Sequence, residues 1–173
     1  NLRRAYPAIP ESGHALTWVP TSRNLAPNFP GGTNDFYNVN PWPSGAGTQA
    51  TWMVVAKLDA AGSYPMIISG GTLLSELRYN AGTRQPELIW NYPNAGYGDI
   101  ISPNALALGT WHSLVGTYDG NTLRLYVDGA QVASASNVTN TAVTRVGIGN
   151  RFSDKLFPFT GQLLVVLPYD VAL

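Results

Sequence analysis

The stretch GTWHSLVGTYDGNTLRLYVDG, residues 109–129, decides the fold of this chain. In residues 122–128, leucine and valine alternate with arginine, tyrosine and aspartate, which is the period of a strand with one buried face. Asp128-Gly129 supplies the positive φ angles of a tight hairpin turn, and Asp119-Gly120-Asn121 supplies a second turn. We therefore predict a three-stranded meander over residues 111–134.

The rest of the chain has the same β character. Its 18 glycines and 13 prolines fall between short segments rich in β-branched and aromatic residues, and no stretch has a helical period. Many short strands separated by turns predict an all-β sandwich or barrel. The predicted strands are residues 50–58, 66–69, 75–79, 87–90, 111–118, 122–128, 130–134, 144–149 and 161–167.

The first 49 residues differ from the remainder. Seven prolines between positions 7 and 43 remove hydrogen-bond donors too often for a long strand. We expect a proline-rich loop lead-in, residues 1–49, that wraps a sandwich core of residues 50–173 within one domain, residues 1–173. The lead-in aromatics could contact a neighbouring subunit, but we expect them to pin this long loop to the sandwich. They are Phe29, Phe36, Tyr37 and Trp42.

The composition excludes several classes of function. Ten basic and ten acidic residues cancel without a basic run, so neither nucleic acid nor an anionic membrane is an expected partner. The longest apolar run, residues 163–167, is too short to span a bilayer. Without cysteine there is no disulfide framework and no thiolate metal site.

The low charge also bears on location. Charged residues make up 12% of the chain, and the surface must be covered largely by Asn, Thr, Ser, Gly and Tyr. We expect an extracellular or virion-surface protein, with a phage or bacterial source favoured because cysteine is absent. Since the chain begins at Asn1 rather than at methionine, we expect it to be part of a longer protein, and a homo-oligomeric assembly stays open.

Residues 109–129 closely resemble the central signature of laminin G-like and pentraxin-like jelly rolls in the concanavalin A-like superfamily. Residues 50–58 resemble an early core strand of that family, and residues 146–149 with 159–161 resemble its closing pair. The resemblance implies a two-sheet antiparallel jelly-roll sandwich, with one sheet presenting a concave surface. The family includes lectins, adhesion modules, pentraxins and phage structural proteins, so the ligand stays open.

The segment WNYPNAGYGD, residues 90–99, is the strongest candidate for a binding site. Aromatic rings interleaved with Asn and Asp suit sugars, which stack on ring faces and hydrogen-bond to amides and carboxylates. The equally weighted alternative places Trp90 in the core, with Tyr92 and Tyr97 covering its edge. The predicted ligand-binding residues are Trp90, Asn91, Tyr92, Asn94, Tyr97 and Asp99.

Calcium is the cofactor that the resemblance implies, because related modules hold it with Asp, Asn and backbone oxygens at the sandwich rim. Where pentraxins carry a Glu-Gln-Asp cluster, this chain has NRFSD at residues 150–154, which keeps few ligands and adds a cation. Asn150 and Asp154 are the candidate metal ligands. The alternative, which we favour, is that both residues shape a polar loop.

Catalysis is not expected from the acids. A glycosidase needs two carboxylates on either side of the scissile bond, but no two acids here lie within five residues of each other. The Glu-x-Asp-x-x-Glu pattern of the related glucanases is absent, and the acids fall in turns, in loops or singly on strands. We predict a non-catalytic module that binds a carbohydrate or cell-surface ligand. The alternative is a structural, decoration or fibre domain of a phage particle or surface assembly that engages protein partners.

Overall fold

The chain folds as an all-β jelly-roll sandwich. The computed structural model describes residues 9–10, 17–20, 25–32, 37–39, 49–70, 75–92, 95–139, 143, 145–169 and 172–173. The first seven strands are β1 (Ile9–Pro10), β2 (Thr17–Pro20), β3 (Leu25–Pro30), β4 (Tyr37–Val39), β5 (Ala50–Leu58), β6 (Met66–Gly70) and β7 (Ser75–Tyr79). The next seven are β8 (Pro86–Trp90), β9 (Gly98–Ile101), β10 (Trp111–Tyr118), β11 (Leu123–Val127), β12 (Ala130–Ala135), β13 (Val146–Ile148) and β14 (Thr160–Tyr169).

These strands form two antiparallel sheets. The first sheet has the order β1-β4-β13-β6-β7-β8-β9, and the second has the order β12-β11-β10-β5-β14-β3-β2. Among the described strands, six of the twelve neighbouring pairs join strands that are not consecutive in sequence, such as β5 with β14 and β4 with β13, as a jelly roll requires. No helical segment in the described part of the chain has the length and apolarity that a bilayer crossing requires.

The meander predicted from residues 111–134 is confirmed. β10 pairs with β11 and β11 with β12, all antiparallel. The β11–β12 turn consists of Asp128 and Gly129, whose φ angles are 50° and 84°. At the β10–β11 turn, an Asp119 carboxylate oxygen accepts hydrogen bonds from the N–H groups of Asn121 at 3.1 Å and Thr122 at 2.8 Å. Local turn chemistry therefore sets the register of this part of the second sheet.

The core lies between the two sheets and follows the alternation of the strands. On β5, every second residue from Trp52 to Leu58 points inward and is buried. The first sheet supplies the facing layer, which includes Leu77, Tyr79 and Leu88. Each large apolar side chain buried in this way contributes about 1.5–3 kcal/mol. Because the chain has no cysteine, packing of this kind holds the fold together.

The lead-in differs from its prediction as a loop. The structure places short strands from it in both sheets, β1 and β4 in the first and β2 and β3 in the second. Among its prolines in the described residues, Pro10, Pro20 and Pro30 are each the last residue of a strand, where a missing N–H costs little. Phe29 is buried, with its ring 6.1 Å from Tyr37 and 6.0 Å from Phe159, which confirms its pinning role. Phe36 and Trp42 lie outside the described residues.

Candidate functional site: a cleft on the outer face of the first sheet

Three neighbouring strands of the first sheet carry charged side chains on the face that points away from the core. β7 presents Glu76 and Arg78, β8 presents Glu87 and Ile89, and β9 presents Asp99. Strand pairing sets Arg78 opposite Glu87 and sets Ile89 between Glu76 and Asp99. Acids that are up to 23 residues apart in sequence thus share one surface, since directly opposite and diagonal residues of a sheet lie within side-chain reach.

Arg78 holds two of these acids. Its Nε donates a hydrogen bond to Glu87 Oε2 and its Nη1 donates to Glu76 Oε2, both at 2.6 Å. Asn80 Nδ2 donates to the second oxygen of Glu87 at 3.4 Å. The side chains of Glu76, Glu87 and Arg78 are only 5%, 3% and 13% exposed. The three form a buried ion-pair network in the floor of the site.

Aromatic residues from three loops surround this charged floor. The Arg78 guanidinium lies 4.2 Å from the centre of the Tyr64 ring, and Tyr64 meets Phe157 edge-to-face at 5.7 Å. The Arg151 guanidinium stacks 4.1 Å from the centre of Phe157. Together they enclose an open cleft of about 220 Å³, which we call the outer-face cleft. It is lined by Tyr64, Glu76, Arg78, Ile89, Tyr92, Asp99, Arg151 and Phe157.

The cleft perturbs the protonation of its acids. Burial raises the pKa of Glu76, although the nearby charges of Arg78 and Arg151 oppose the rise. Burial also raises the pKa of Asp99, to about 6, and both the charge of Glu87 and a hydrogen bond with it add to the effect. Desolvation lowers the pKa of Arg78, but the hydrogen bond to Glu87 and the charges of Glu76, Glu87 and Tyr64 together outweigh it and leave that pKa raised. The pKa of Asp99 thus lies well above the usual range of a carboxyl group.

Two of the predicted ligand-binding residues are interior, so their assignment to a ligand is wrong. Trp90 is 1% exposed, and its ring stacks on Tyr118 at 4.8 Å and contacts Trp52 at 5.5 Å. It lies on the inward face of β8, as the alternative interpretation of the sequence had it. Asn91 is 4% exposed with a φ of 64°, and its amide donates to Thr139 Oγ1, so it shapes the turn after β8.

Three of the other predicted ligand-binding residues, Tyr92, Tyr97 and Asp99, lie at the surface. Tyr92 and Tyr97 are 44% and 48% exposed, and their rings meet edge-to-face at 5.5 Å. Tyr92 and Asp99 both line the outer-face cleft. Asn94 lies outside the described residues. The structure therefore brings Tyr92 and Asp99 together in the lining of the cleft, places Tyr97 against Tyr92, and separates all three from Trp90.

The two candidate metal ligands, Asn150 and Asp154, already accept hydrogen bonds from other groups of the protein. Asn150 is fully buried, and its Oδ1 accepts from the N–H groups of Arg151 at 2.8 Å and Phe157 at 3.1 Å. Asp154 pairs with Arg151 through both carboxylate oxygens and also accepts from the Leu156 N–H at 3.2 Å. The hydrogen bond from Arg151 holds the pKa of Asp154 below its usual range. This geometry supports the alternative that both residues shape the loop, and the described residues contain no cluster of three or more His, Cys, Asp or Glu side chains suited to a metal ion.

Sequence reasoning missed the charged floor of the cleft. It treated Glu76 and Glu87 as single acids on separate strands, but the antiparallel pairing of β7 with β8 brings both to Arg78. The sequence did contain a signal that these charged residues share the outer face of the sheet. Glu76 and Arg78 alternate with Leu77 and Tyr79 in SELRY, and Glu87 lies between Pro86 and Leu88 in PELIW. Alternation predicts which residues share a face, but it does not predict which strands are neighbours.

The family assignment rests on a sequence match over most of the chain. The sequence profile of the concanavalin A-like lectin/glucanase superfamily, in its laminin G-like form, matches residues 30–173. The chain belongs to this superfamily. No curated protein sequence matches the chain significantly. The match confirms both the resemblance and the fold that the meander predicted.

Solved structures with the same fold include modules of different proteins. Domain 4 of the extracellular GH43 arabinanase AbnA from Geobacillus stearothermophilus, in complex with arabinotriose, superposes with a TM-score of 0.73 at 16% identity, over 98% of this chain and 82% of that one. The CBM40 of the Ruminococcus gnavus IT-sialidase, bound to α2,3-sialyllactose, gives 0.61 at 15% identity, over 72% and 77%. Domains LG4-5 of the mouse laminin α1 chain give 0.64 at 14% identity, over 84% of this chain but 42% of that one. Identities this low show the shared fold alone.

Proposed function

We propose that this chain is a non-catalytic carbohydrate-binding module of an extracellular protein and that it holds a glycan at the outer-face cleft. The observation that carries the proposal is the exposed pair Tyr92 and Tyr97, of which Tyr92 lines the cleft together with Asp99. Exposed aromatic rings stack on the C–H faces of sugars, and a carboxylate accepts strong hydrogen bonds from sugar hydroxyls. Structural neighbours that carry arabinotriose and sialyllactose support the same class of ligand.

The size of the cleft limits what it encloses. Pockets that bury a drug-sized ligand run from roughly 300 to 1,000 Å³. The outer-face cleft, at about 220 Å³ and open to solvent, is smaller than that. It fits one sugar ring of a longer chain, with neighbouring rings lying across Tyr97. The ligand is therefore an oligosaccharide or polysaccharide held at one residue rather than a small molecule that is fully enclosed.

The state of the acids supports binding without catalysis. A glycosidase needs two carboxyl groups that reach the scissile bond, about 5–9.5 Å apart according to mechanism. Here Glu76 and Glu87 are buried, and each accepts a hydrogen bond from Arg78. These hydrogen bonds occupy an oxygen of each of the two acids and so take up the groups that a glycosidase would turn towards its substrate. Asp99 is then the carboxylate in the cleft lining that belongs to no ion pair within the described residues. Glu76, Glu87 and Arg78 therefore form a fixed base of the cleft rather than a catalytic pair of acids.

A glycan array with titration calorimetry of the hits tests this proposal. We expect the wild-type domain to bind at least one oligosaccharide and the Tyr92→Ala and Tyr97→Ala variants to lose at least tenfold in affinity. Tyr126→Ala is the matched control, because Tyr126 is a half-buried tyrosine of β11 in the other sheet. A blank array, or equal losses in all three variants, would contradict the proposal.

The alternative predicted from the sequence is a structural domain of a virus particle or surface assembly that contacts protein partners. It makes an opposite prediction for the same sample. A domain of that kind would give a blank array and form a stable oligomer by light scattering, with Tyr92 and Tyr97 buried in the contact. A virion-surface location stays tied to that alternative.

A further inference from the structure

The cations of the outer-face cleft are already paired with carboxylates of the same chain. Arg78 donates to Glu76 and Glu87 at 2.6 Å each. Arg151 donates its Nε to Asp154 at 2.9 Å and its Nη2 to the other oxygen of the same carboxylate. Both guanidinium groups are also covered on one face by an aromatic ring, Arg78 by Tyr64 and Arg151 by Phe157. Each guanidinium charge is thus already balanced by carboxylates of the same chain, so an incoming anion gains less from either arginine than it would from an unpaired one.

The carboxylates in and next to the cleft outnumber the cations. Within the described residues, Asp99 belongs to no ion pair, and Glu87 acts on it both by its charge and by a hydrogen bond. Since burial and Glu87 set the pKa of Asp99 at about 6, its carboxylate is ionised at pH 7 and above. When the partners of the two arginines are counted, four carboxylates, those of Glu76, Glu87, Asp99 and Asp154, accompany two guanidinium groups. This group of charges is therefore negative in sum, and Asp99 is its member without a cation partner.

This charge balance separates two kinds of sugar. A neutral sugar can donate hydrogen bonds from its hydroxyl groups to Asp99. Such binding does not require an unpaired arginine. An acidic sugar brings a second carboxylate towards Asp99, and two like charges held close together at a protein surface repel each other. Such juxtaposition is a common means of rejecting a wrong ligand.

We infer that the outer-face cleft selects uncharged glycans and discriminates against carboxylated ones, with Asp99 as the residue that determines the difference. The inference rests on the proposed function. The fold itself does not decide the point, because one neighbour carries the neutral arabinotriose and another carries the acidic sialyllactose. The side chains of this chain, with both arginines paired, place it with the neutral class.

The test compares each glycan with its own uncharged form. Array probes include neutral oligosaccharides, sialyllactose against lactose, and uronic-acid oligosaccharides against their carboxyl-reduced counterparts, all at one ionic strength and pH 7.5. We expect the hits to be neutral and each carboxylated member to bind at least tenfold more weakly than its reduced partner. Carboxylated members that bind as tightly as their partners, or tighter, would overturn the inference and leave glycan binding standing. Binding to no probe at all would overturn both.

A variant pair assigns the effect to Asp99. Asp99→Asn keeps the shape of the side chain and removes its charge, so we expect the preference for the reduced partner to shrink at least threefold. Asp59→Asn is the control, because Asp59 is an exposed acid paired with Lys57 at 3.5 Å and does not line the cleft. A preference that is unchanged in Asp99→Asn, or reduced equally in both variants, would show that Asp99 does not set the selectivity.

Discussion

The two faces of β7, β8 and β9 are built from the same short stretches of sequence but do different things. The inward face carries apolar and aromatic residues such as Leu77, Leu88 and Trp90 that pack against the other sheet. The outward face carries an ion-pair network and ends in the open carboxylate of Asp99. Because successive residues of a strand point in opposite directions, a one-residue step separates a core position from a ligand-facing one. Residues adjacent in sequence, such as Trp90 and Tyr92, therefore need not share a role.

Substitution on the inward face gives the largest expected effect. Trp90→Ala removes a fully buried ring between Trp52 and Tyr118, and we expect a loss of about 3–5 kcal/mol in the free energy of unfolding. Urea denaturation followed by circular dichroism measures it. Tyr92→Ala, two residues away and exposed, is the comparison and is expected to cost less than about 1 kcal/mol. Similar losses for the two variants would remove the distinction between the faces.

The next largest effect is expected at the charged floor. Arg78→Met leaves Glu76 and Glu87 buried without their cation, which costs about 3 kcal/mol at pH 7.5. Uncompensated burial raises the folded-state pKa of these acids above the unfolded value, so the loss grows as pH rises through the carboxyl range and shrinks near pH 4. Urea titrations at the two pH values measure this. Arg145→Met, at an exposed arginine 5.5 Å from the Phe152 ring centre, should show neither the loss nor the pH dependence.

A smaller effect of opposite sign is expected at the cleft mouth. Asp99 has a folded-state pKa of about 6 against a usual value of 3.8, so its ionisation costs stability as pH rises between these values. Asp99→Asn removes that cost and should stabilise the domain by about 1 kcal/mol at pH 8, after allowance for solvent screening, and by nothing at pH 4.

The control for this pH dependence is Asp119→Asn. Hydrogen bonds from the Thr122 N–H and from Arg124 lower the pKa of Asp119, so its charged form contributes stability that is lost as pH falls through the folded-state pKa. This variant should be destabilised at pH 8 and approach the wild type at low pH. Thermal melting across the pH range distinguishes the two signs. The same sign for both variants would contradict the assigned environments.

The smallest expected effect is that of calcium. The amide of Asn150 and the carboxylate of Asp154 already accept hydrogen bonds from Arg151 and from backbone N–H groups of the same loop. We therefore expect equal melting temperatures in millimolar calcium and in chelator. A rise of several degrees with calcium that disappears in Asp154→Asn would restore these residues as metal ligands.

The sequence was sufficient for the fold and insufficient for the site, for reasons visible in particular residues. Residues 109–129 carry local information, alternation and turn chemistry, and the meander follows from them. Tyr92, Tyr97 and Asp99 were likewise chosen as candidates from local sequence, as aromatics and an acid around glycines, and their role in binding stays a prediction. The pairing of Glu76 and Glu87 through Arg78 depends on which strands are neighbours, and nothing in either segment specifies that. Trp90 was ambiguous because its face depends on where β8 begins.

The most direct test of the account is a crystal structure of the domain with the tightest-binding neutral glycan from the array. The account predicts electron density for one sugar ring in the outer-face cleft, with a hydroxyl within hydrogen-bond distance of Asp99 and a ring face against Tyr92 or Tyr97. Density at the 150–154 loop, or on the outer face of the second sheet, would contradict it.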